Sequence, residues 1–520
     1  MKLRLFCLTL LLTLGTVSRA QRYDNIWMLS GQLNADECWL NFVQSPPIGQ
    51  LQELNMNFFL TDASICDSSG NLLFYTNGQI INNRFHKEMW NSNNYNPGWA
   101  SNKYYVIISG TDTTYGGLGL GQSCLILPSP LDSNQYYLFH VSADSFFSQE
   151  FNLWSFDPLN LRYSVFDRRL DSDSGGIVPN KKGIVLISDT LLSGRLTAVK
   201  HANGKDWWIV SHKQSSDVMY IMLLTDTGVS VKSQHLGTYY HEKTELPQFP
   251  GQTWKSDELG EACFSPDGGK YAMTGWESEL LLMDFDRCNG KFSYEKVIKT
   301  PVIDPSMNVP LGCAFSPSSR FLYLNTYGRI FQYDTWKTGF DSADAINIPW
   351  IIDSSTTNPM FMEQLAPDGK IYICTWGGDK NFHVIDSPDL AAPFCNVIAN
   401  GFALPQFDNA IPNFPYFRLH EGNECDTILI PHEELIIYPN PTSGQLTIAW
   451  DSLAGSNVIL YDMLGREVQS YNIPEMLNGV YGKNNNEAVI DVSKLAAGMY
   501  IIEVRKVELR VNKKFIKINE

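Results

Sequence analysis

The chain has 520 residues, of which 12% are aromatic and only 18% charged, a balance that suits packed sheets and argues against charged helical bundles or disorder. That length is too great for one ordinary compact domain, unless the fold adds a core layer with each repeat. The formal charge is −16, and residues 1–20 carry Lys2, Arg4 and Arg19 with no acid, so the rest of the chain is three charges more negative still; such a surface repels phosphate backbones and excludes nucleic acid as an expected partner.

The opening MKLRLFCLTLLLTLGTVSRAQ has a basic start, an apolar run from Leu5 to Val17 and a polar step ending in Ala20. That is the pattern of a secretory signal peptide over residues 1–20, cut near Ala20. The run is short for a bilayer span, which needs about 20 apolar residues. No later stretch is long and apolar enough to span, so the processed chain is expected to be soluble or attached from outside. Nine cysteines follow Cys7. Most lie in apolar, strand-like runs and read as buried free thiols; an oxidising compartment permits one or two bridges, with Cys374–Cys395 as the pairing to test. No CxxC or Cys/His spacing predicts a structural zinc site.

Internal repeats organise the middle of the chain. Three segments read alike: ACFSPDGGKYAMTGW from Ala262, CAFSPSSRFLYLNTY from Cys313 and EQLAPDGKIYICTW from Glu363. Each is a short apolar strand, a tight polar turn and an alternating strand. A third strand follows each, at Glu279, Gly328 and Asn381. Looser copies begin at Ser64, Cys124 and Leu196. The turns have a mechanical reason: Pro presets φ, Asp bonds the local backbone and Gly accepts positive φ. Asp267 and Asp368 are therefore turn formers. A strand–turn–strand repeat without helical periodicity predicts an all-β fold, a β-propeller over residues 21–420. Six copies are visible; if the strands near Ile26–Ser30 and Phe414–Leu419 share a blade, the count is seven, with six as the alternative.

Residues 26–420 resemble a family of secreted propellers from Bacteroidota, related to the YVTN/lactonase-like superfamily. The matching pieces are GNLLFYTNG from Gly70, LTAVKHANGKDWWIVSH from Leu196, FSPDG from Phe264, LAPDGKIY from Leu365 and IPNFPYF from Ile411. The resemblance implies a fold and a location and supplies no active site.

After a polar linker over residues 421–434 comes LIIYPNPTSGQLTIAW, then VILYDMLGREVQSYNI, AVIDVSKLAAGMYIIEVRK and KKFIKI. These are alternating strands joined by tight turns, enough for a small Ig-like β-sandwich over residues 435–520. The stretch resembles the type A sorting domain of the type IX secretion system. The matching positions are Tyr438, Pro439, Asn440, Pro441, Thr442 and Gly444; Asp462, Gly465 and Arg466; Leu495, Gly498 and Tyr500; and Lys513, Lys514, Phe515, Ile516 and Lys517. The resemblance implies passage through the periplasm, recognition by the outer-membrane translocon, removal of the domain by a sortase-like peptidase, and a cargo secreted or held at the cell surface. The plainer alternative is an ordinary adhesion module.

Four constellations in the propeller carry polar chemistry. Lys200, His201, Asp206 and His212 are placed on adjacent strands and could line a channel as acid, base or anion-binding groups; turn chemistry with exposed strand residues is the plainer reading. Asp257, Glu258 and Glu261 could hold calcium at a channel mouth, or form a solvated acidic loop. The run from Asp171 to Gly176 resembles the start of a calcium loop but lacks its closing Glu, and reads as a turn. Trp90, Tyr95 and Trp99, interleaved with asparagines, suit a sugar ring or a peptide surface, or else pack a long loop. No sialidase aspartate box, GxSxG elbow, HExxH helix or phosphate loop is present in the sequence, so no catalytic residue and no cofactor is assigned. The leading expectation is an exported binding or adhesion protein for an extracellular glycan or protein. The alternative is an extracellular hydrolase or lyase acting on a polymer, with a divalent cation.

Overall fold

The computed structural model describes residues 21–30, 37–98, 116–142, 144–148, 153–214, 216–236, 244–245, 253–254, 260–275, 279–299, 310–326, 329–337, 346–348, 360–408, 410–419, 435–449, 453, 455–463, 466–474, 487–506 and 509–519. The chain forms two compact units, Met1–Asn423 and Glu424–Glu520. The expected leader over residues 1–20 and the expected linker over residues 421–434 lie outside the described residues.

Among the described residues of the first unit, seven antiparallel sheets of three to five strands follow one another along the chain, beside two short two-stranded pairs, Asp144–Ser148 with Leu153–Asp157 and Thr244–Glu245 with Thr253–Trp254. Each of the seven runs as a meander with its first strand innermost. Sheet 1 is Ile26–Leu29, Glu37–Asn41 and Ile48–Gln52; sheet 2 is Ala63–Cys66, Leu72–Thr76 and Ile81–Asn83. Sheet 3 opens with Cys124–Pro128, Gln135–Val141 and Asn160–Asp167, and both Gly176–Ile177 and Ile184–Ser188 pair with its third strand. Sheet 4 begins with Thr197–Lys200, sheet 5 with Ala262–Phe264, sheet 6 with Pro310–Phe315 and sheet 7 with Met360–Leu365, each followed by three more strands. Sheet 7 closes the ring on sheet 1: the rings of Trp27 and Phe42 meet Tyr372 edge-on at 5.9 and 5.7 Å. A bidentate ion pair from Arg418 to Asp24, at 2.6 and 2.7 Å, ties the two ends of the unit together. This is a seven-bladed β-propeller, though not by the expected route. The ends do not share a blade, because the first strand starts a three-stranded sheet of its own and Phe414–Leu419 forms no strand.

The two-residue period of the strands sets the core. In sheet 5, Ala262 and Phe264 pack with Val199 and Trp208 of sheet 4, while Cys263, between them, packs against Cys313 and Phe315 of sheet 6. In sheet 6, Ala314 turns instead to Ile371 and Ile373 of sheet 7. Each blade thus buries both faces against its neighbours, which explains strands such as Phe321–Thr326 that are buried at every position. The hairpins follow the turn chemistry. Asp267 Oδ1 accepts the Gly269 N–H at 2.9 Å, and Gly268 sits at φ +75. In blade 6, Ser319 takes the same left-handed position at φ +64, at the strain a side chain brings there. The run from Asp171 is a tight turn with Asp171, Ser172 and Asp173 all at positive φ.

The expected Cys374–Cys395 bridge does not form; both are free. Cys374 shares a face of sheet 7 with Tyr372 and packs in the large cluster with Phe382, whereas Cys395 packs beside Tyr323 on the sheet-6 side. The sheet stands between them. Cys288 is disulfide-bonded, to a partner outside the described residues. Among the described residues no helix is long and apolar enough to cross a membrane.

The second unit is a sandwich. One sheet pairs Ile436–Tyr438, Gln445–Ala449 and Glu487–Asp491; the other orders Glu467–Asn472, Asn457–Asp462, Gly498–Lys506 and Leu509–Lys517. Leu446, Ile448, Ile490, Val458, Leu460, Ile502 and Phe515 fill the space between them, the inward half of each alternating strand.

Candidate functional site

The propeller axis is built from polar side chains that bond the backbone of other blades at or beside their inner strands. Ser64 Oγ donates to the Ile26 carbonyl of blade 1 at 2.9 Å, and Thr61 Oγ donates to the Leu120 carbonyl at the entry to blade 3 at 2.7 Å. Asn413, in the tail that crosses the axis, does the most. Its N–H donates to the Asp62 carbonyl at 3.0 Å, and its Nδ2 donates to the carbonyls of Cys124 and Leu196 at 2.9 and 2.8 Å. One side chain and its backbone thereby join blades 2, 3 and 4. Gln122 forms a reciprocal pair with the Ala262 backbone of blade 5, at 2.9 and 3.0 Å. Arg195 Nη2 donates to the Thr274 carbonyl at 2.8 Å, and Thr274 Oγ to the Leu311 carbonyl at 2.9 Å. Strand edges at the axis leave donors and acceptors that water cannot reach, and these side chains satisfy them.

Two acids complete the ring. Glu261 Oε2 accepts the N–H of Cys313 at 3.2 Å and of Glu363 at 3.0 Å, joining blade 5 to blades 6 and 7. Glu363 Oε2 accepts from Asn325 Nδ2 at 3.2 Å, while its Oε1 has no partner among the described residues. Burial pushes the Glu363 carboxyl up to about 8. Burial, with the nearby Glu363, holds Glu261 well above the usual carboxylate range. Asp62 is likewise raised by burial and by Asp408 beside it. Of these, Glu363 keeps its proton at neutral pH. Glu261 and Glu363 line a small pocket of about 40 Å³, with Gln122, Cys263, Cys313 and Tyr416. Phe414 and Phe417 close the tail over Trp27, Tyr23 and Trp207. Chemically, the pocket offers two buried carboxyls and two thiols.

The positions singled out from sequence divide sharply. Glu261 is not part of a solvated loop at a channel mouth; it is 3% exposed at the start of an inner strand. Asp257 and Glu258 lie outside the described residues, and among the described residues no three His, Cys, Asp or Glu side chains gather to hold a metal. Lys200, His201 and His212 do not converge. Lys200 pairs across the hairpin with Trp207, and His212 lies five residues further along that strand, roughly 17 Å away. Lys200 Nζ donates to Gln21 at 3.0 Å and sits over the Trp207 ring; His201 bonds the Cys288 carbonyl at 3.1 Å. His212 is buried against the Lys213 carbonyl, and burial lowers it to about 4. Tyr95 is fully buried, its hydroxyl 2.8 Å from Thr76 and its ring edge-on to His140, so it cannot serve as a sugar platform. Trp99 lies outside the described residues. Trp90 remains 45% exposed, with its ring against Gly176, where an added Cβ would come within 2.8 Å.

In the second unit the motif positions do converge. The Pro439-Asn440-Pro441 turn clasps the last strand. Asn440 Oδ1 accepts the Ile516 N–H at 2.9 Å and its Nδ2 donates to the Lys514 carbonyl at 3.3 Å. Thr442 continues the clasp, its N–H on the Ile516 carbonyl and its own carbonyl accepting from Ile518, both at 2.9 Å. Tyr500 stacks on the buried Phe515 and donates its hydroxyl to the Ala496 carbonyl at 2.9 Å. Gly498 opens the strand that pairs with Lys517. Arg466 pairs with Asp462 at 2.7 Å across a turn whose Gly465 lies outside the described residues. Tyr438 and Lys514 face solvent, and Gly444 has nothing within 4 Å of where a Cβ would stand. Sequence reasoning missed Asn413, Gln122, Glu363 and Asp62 as axis residues, although Asn413 lies inside IPNFPYF and Glu363 opens the third repeat copy.

Residues 436–519 match the family described as the secretion system C-terminal sorting domain. The chain is therefore a protein exported to the cell surface or the medium, by way of the type IX secretion machinery. No curated protein matches it. Among solved structures it is similar to the periplasmic gluconolactonase PpgL of Pseudomonas aeruginosa, at 10% identity over 69% of this chain and 88% of that one, with a TM-score of 0.33. It is also similar to the β-propeller domain of Cps50 (Swd1) from Myceliophteria thermophila, at 11% identity over 72% and 95%, TM-score 0.27. A third is the dihydro-heme d1 dehydrogenase NirN in complex with DHE, at 10% identity over 90% and 75%, TM-score 0.36.

Proposed function

We propose that this protein is an extracellular binding module whose blade loops hold a glycan or protein, and that its axis is scaffold. Residues 1–20 take the chain to the periplasm; there the outer-membrane translocon reads the folded C-terminal unit, and a sortase-like peptidase frees the cargo. What supports binding is the filling of the axis: Asn413, Gln122 and Glu261 spend their polar atoms on inner-strand backbone. The exposed Trp90 ring, backed by Gly176, supplies a flat face of the kind on which sugar rings stack. A second reading, a hydrolase or lyase centred on the pocket, draws on Glu363, an acid at about 8 with one bare oxygen. The discriminating experiment runs the purified protein on a glycan array beside a polysaccharide hydrolysis screen. On the binding reading Trp90→Ala weakens the hit about tenfold, the worth of one ring stack, and Glu363→Gln leaves it unchanged. Turnover that Glu363→Gln abolishes would replace this reading with the enzymatic one.

A further inference from the structure

Cys263 and Cys313 occupy neighbouring repeat copies but are offset by one position in them. Aligning Phe264-Ser265-Pro266 with Phe315-Ser316-Pro317 sets Cys263 opposite Ala314 and Cys313 opposite Ala262. One position in a strand reverses the face a side chain takes. Cys263 therefore looks from blade 5 towards blade 6, and Cys313 looks back. Their sulfurs stand 3.7 Å apart in the pocket wall. Cys313 is fully buried, its S–H directed at the Glu261 carbonyl at 3.5 Å. Cys263 is partly exposed and lines the pocket. The chain already carries one disulfide, at Cys288, and it is exported, so it passes through a compartment where thiols oxidise.

We propose that Cys263 and Cys313 form a redox-closed clasp between blades 5 and 6, oxidised after export by exchange with a protein or small-molecule disulfide. The partly exposed Cys263 attacks one sulfur of the donor; a Cys263 mixed disulfide forms and one donor thiol leaves with the first proton. Cys313 then attacks Cys263 Sγ, the Cys263–Cys313 bond forms, and the second donor thiol leaves with the second proton. Two electrons pass from the protein thiols to the donor. The inference rests on export alone and not on what the propeller binds.

The test uses the full-length exported protein, equilibrated with oxidised glutathione or with a reductant, alkylated and mapped without reduction. The oxidised sample is expected to lose the mass of two hydrogens, to yield a cross-linked peptide joining residues 263 and 313, and to lose maleimide labelling at Cys263. Cys313→Ser, a near-isosteric change, is expected to trap glutathione on Cys263, which reads the first step even if the bridge itself is slow. Full alkylation of both cysteines after oxidation, with no glutathione on Cys263 in the Cys313→Ser protein, would overturn the clasp. So would a cross-link from either residue to a different cysteine.

Discussion

Replacing Glu363 with glutamine should remove one component of the protein's pH-dependent stability, and its size follows from the burial of this side chain. In the folded propeller Glu363 keeps its proton up to about pH 8, against an ordinary 4.5. Between those values the folded state holds a proton that the unfolded chain has released. The stabilisation is complete below the ordinary value, declines as pH rises, and is gone above 8. At 1.36 kcal/mol per unit, about 4 kcal/mol is lost between pH 5 and pH 9. Glu261 and Asp62, also raised by burial, add changes of the same sign. The buried His140, His212 and His383, lowered to about 3, 4 and 4, act oppositely: their contribution is full above the ordinary 6.5 and falls away as pH drops towards those values. The comparison must therefore be between wild type and Glu363→Gln at each pH. Glutamine keeps an oxygen for Asn325 Nδ2 and carries no charge. The wild-type melting temperature should fall relative to the variant's by roughly 5 °C from pH 5 to pH 9 for a unit this large, read by calorimetry. Parallel curves across that range would show that Glu363 is not held as a neutral acid, and the account of the axis would need revision.

Other predictions address the closure and the sorting unit. Asn413→Ala strips hydrogen bonds from the buried carbonyls of Cys124 and Leu196, and should cost about 2–4 kcal/mol in denaturant unfolding. Arg418→Ala leaves Asp24, 4% exposed, charged and unpaired; a loss of about 3–5 kcal/mol is expected, and Arg418→Met should recover only its packing share. Phe515→Ala opens a cavity under Tyr500 and should cost about 3–5 kcal/mol, seen as protease sensitivity of the C-terminal unit together with cargo retained inside the outer membrane.

The repeats were legible because their turns obey local chemistry. Asp267, Gly268 and Asp368 turn the chain by the same local chemistry, so six of the seven blades followed from counting the repeat copies. The first blade escaped that count because Ile26–Leu29 pairs with a strand that has no Pro-Asp-Gly turn beside it. The sorting unit was legible for a related reason: Asn440, Thr442 and Phe515 lie at opposite ends of its sequence but in recognisable motifs, and the fold brings them together. The axis was not legible. Asn413 and Gln122 bond carbonyls that belong to blades up to 289 residues away, and no local pattern marks a polar side chain whose partner is a distant backbone. Lys200 and His212 illustrate the converse error: neighbouring strands suggested proximity, but the hairpin register sends them to opposite ends. Tyr95 failed through burial, since an aromatic among asparagines looks alike in a loop that binds sugar and in one that packs on a blade.

The most direct measurement is fractionation of cells producing the chain with and without residues 435–520. The full chain should reach the surface or the medium, and the shortened chain should stay in the periplasm with its propeller still protease-resistant. Undiminished surface display of the shortened chain would contradict the division into cargo and address.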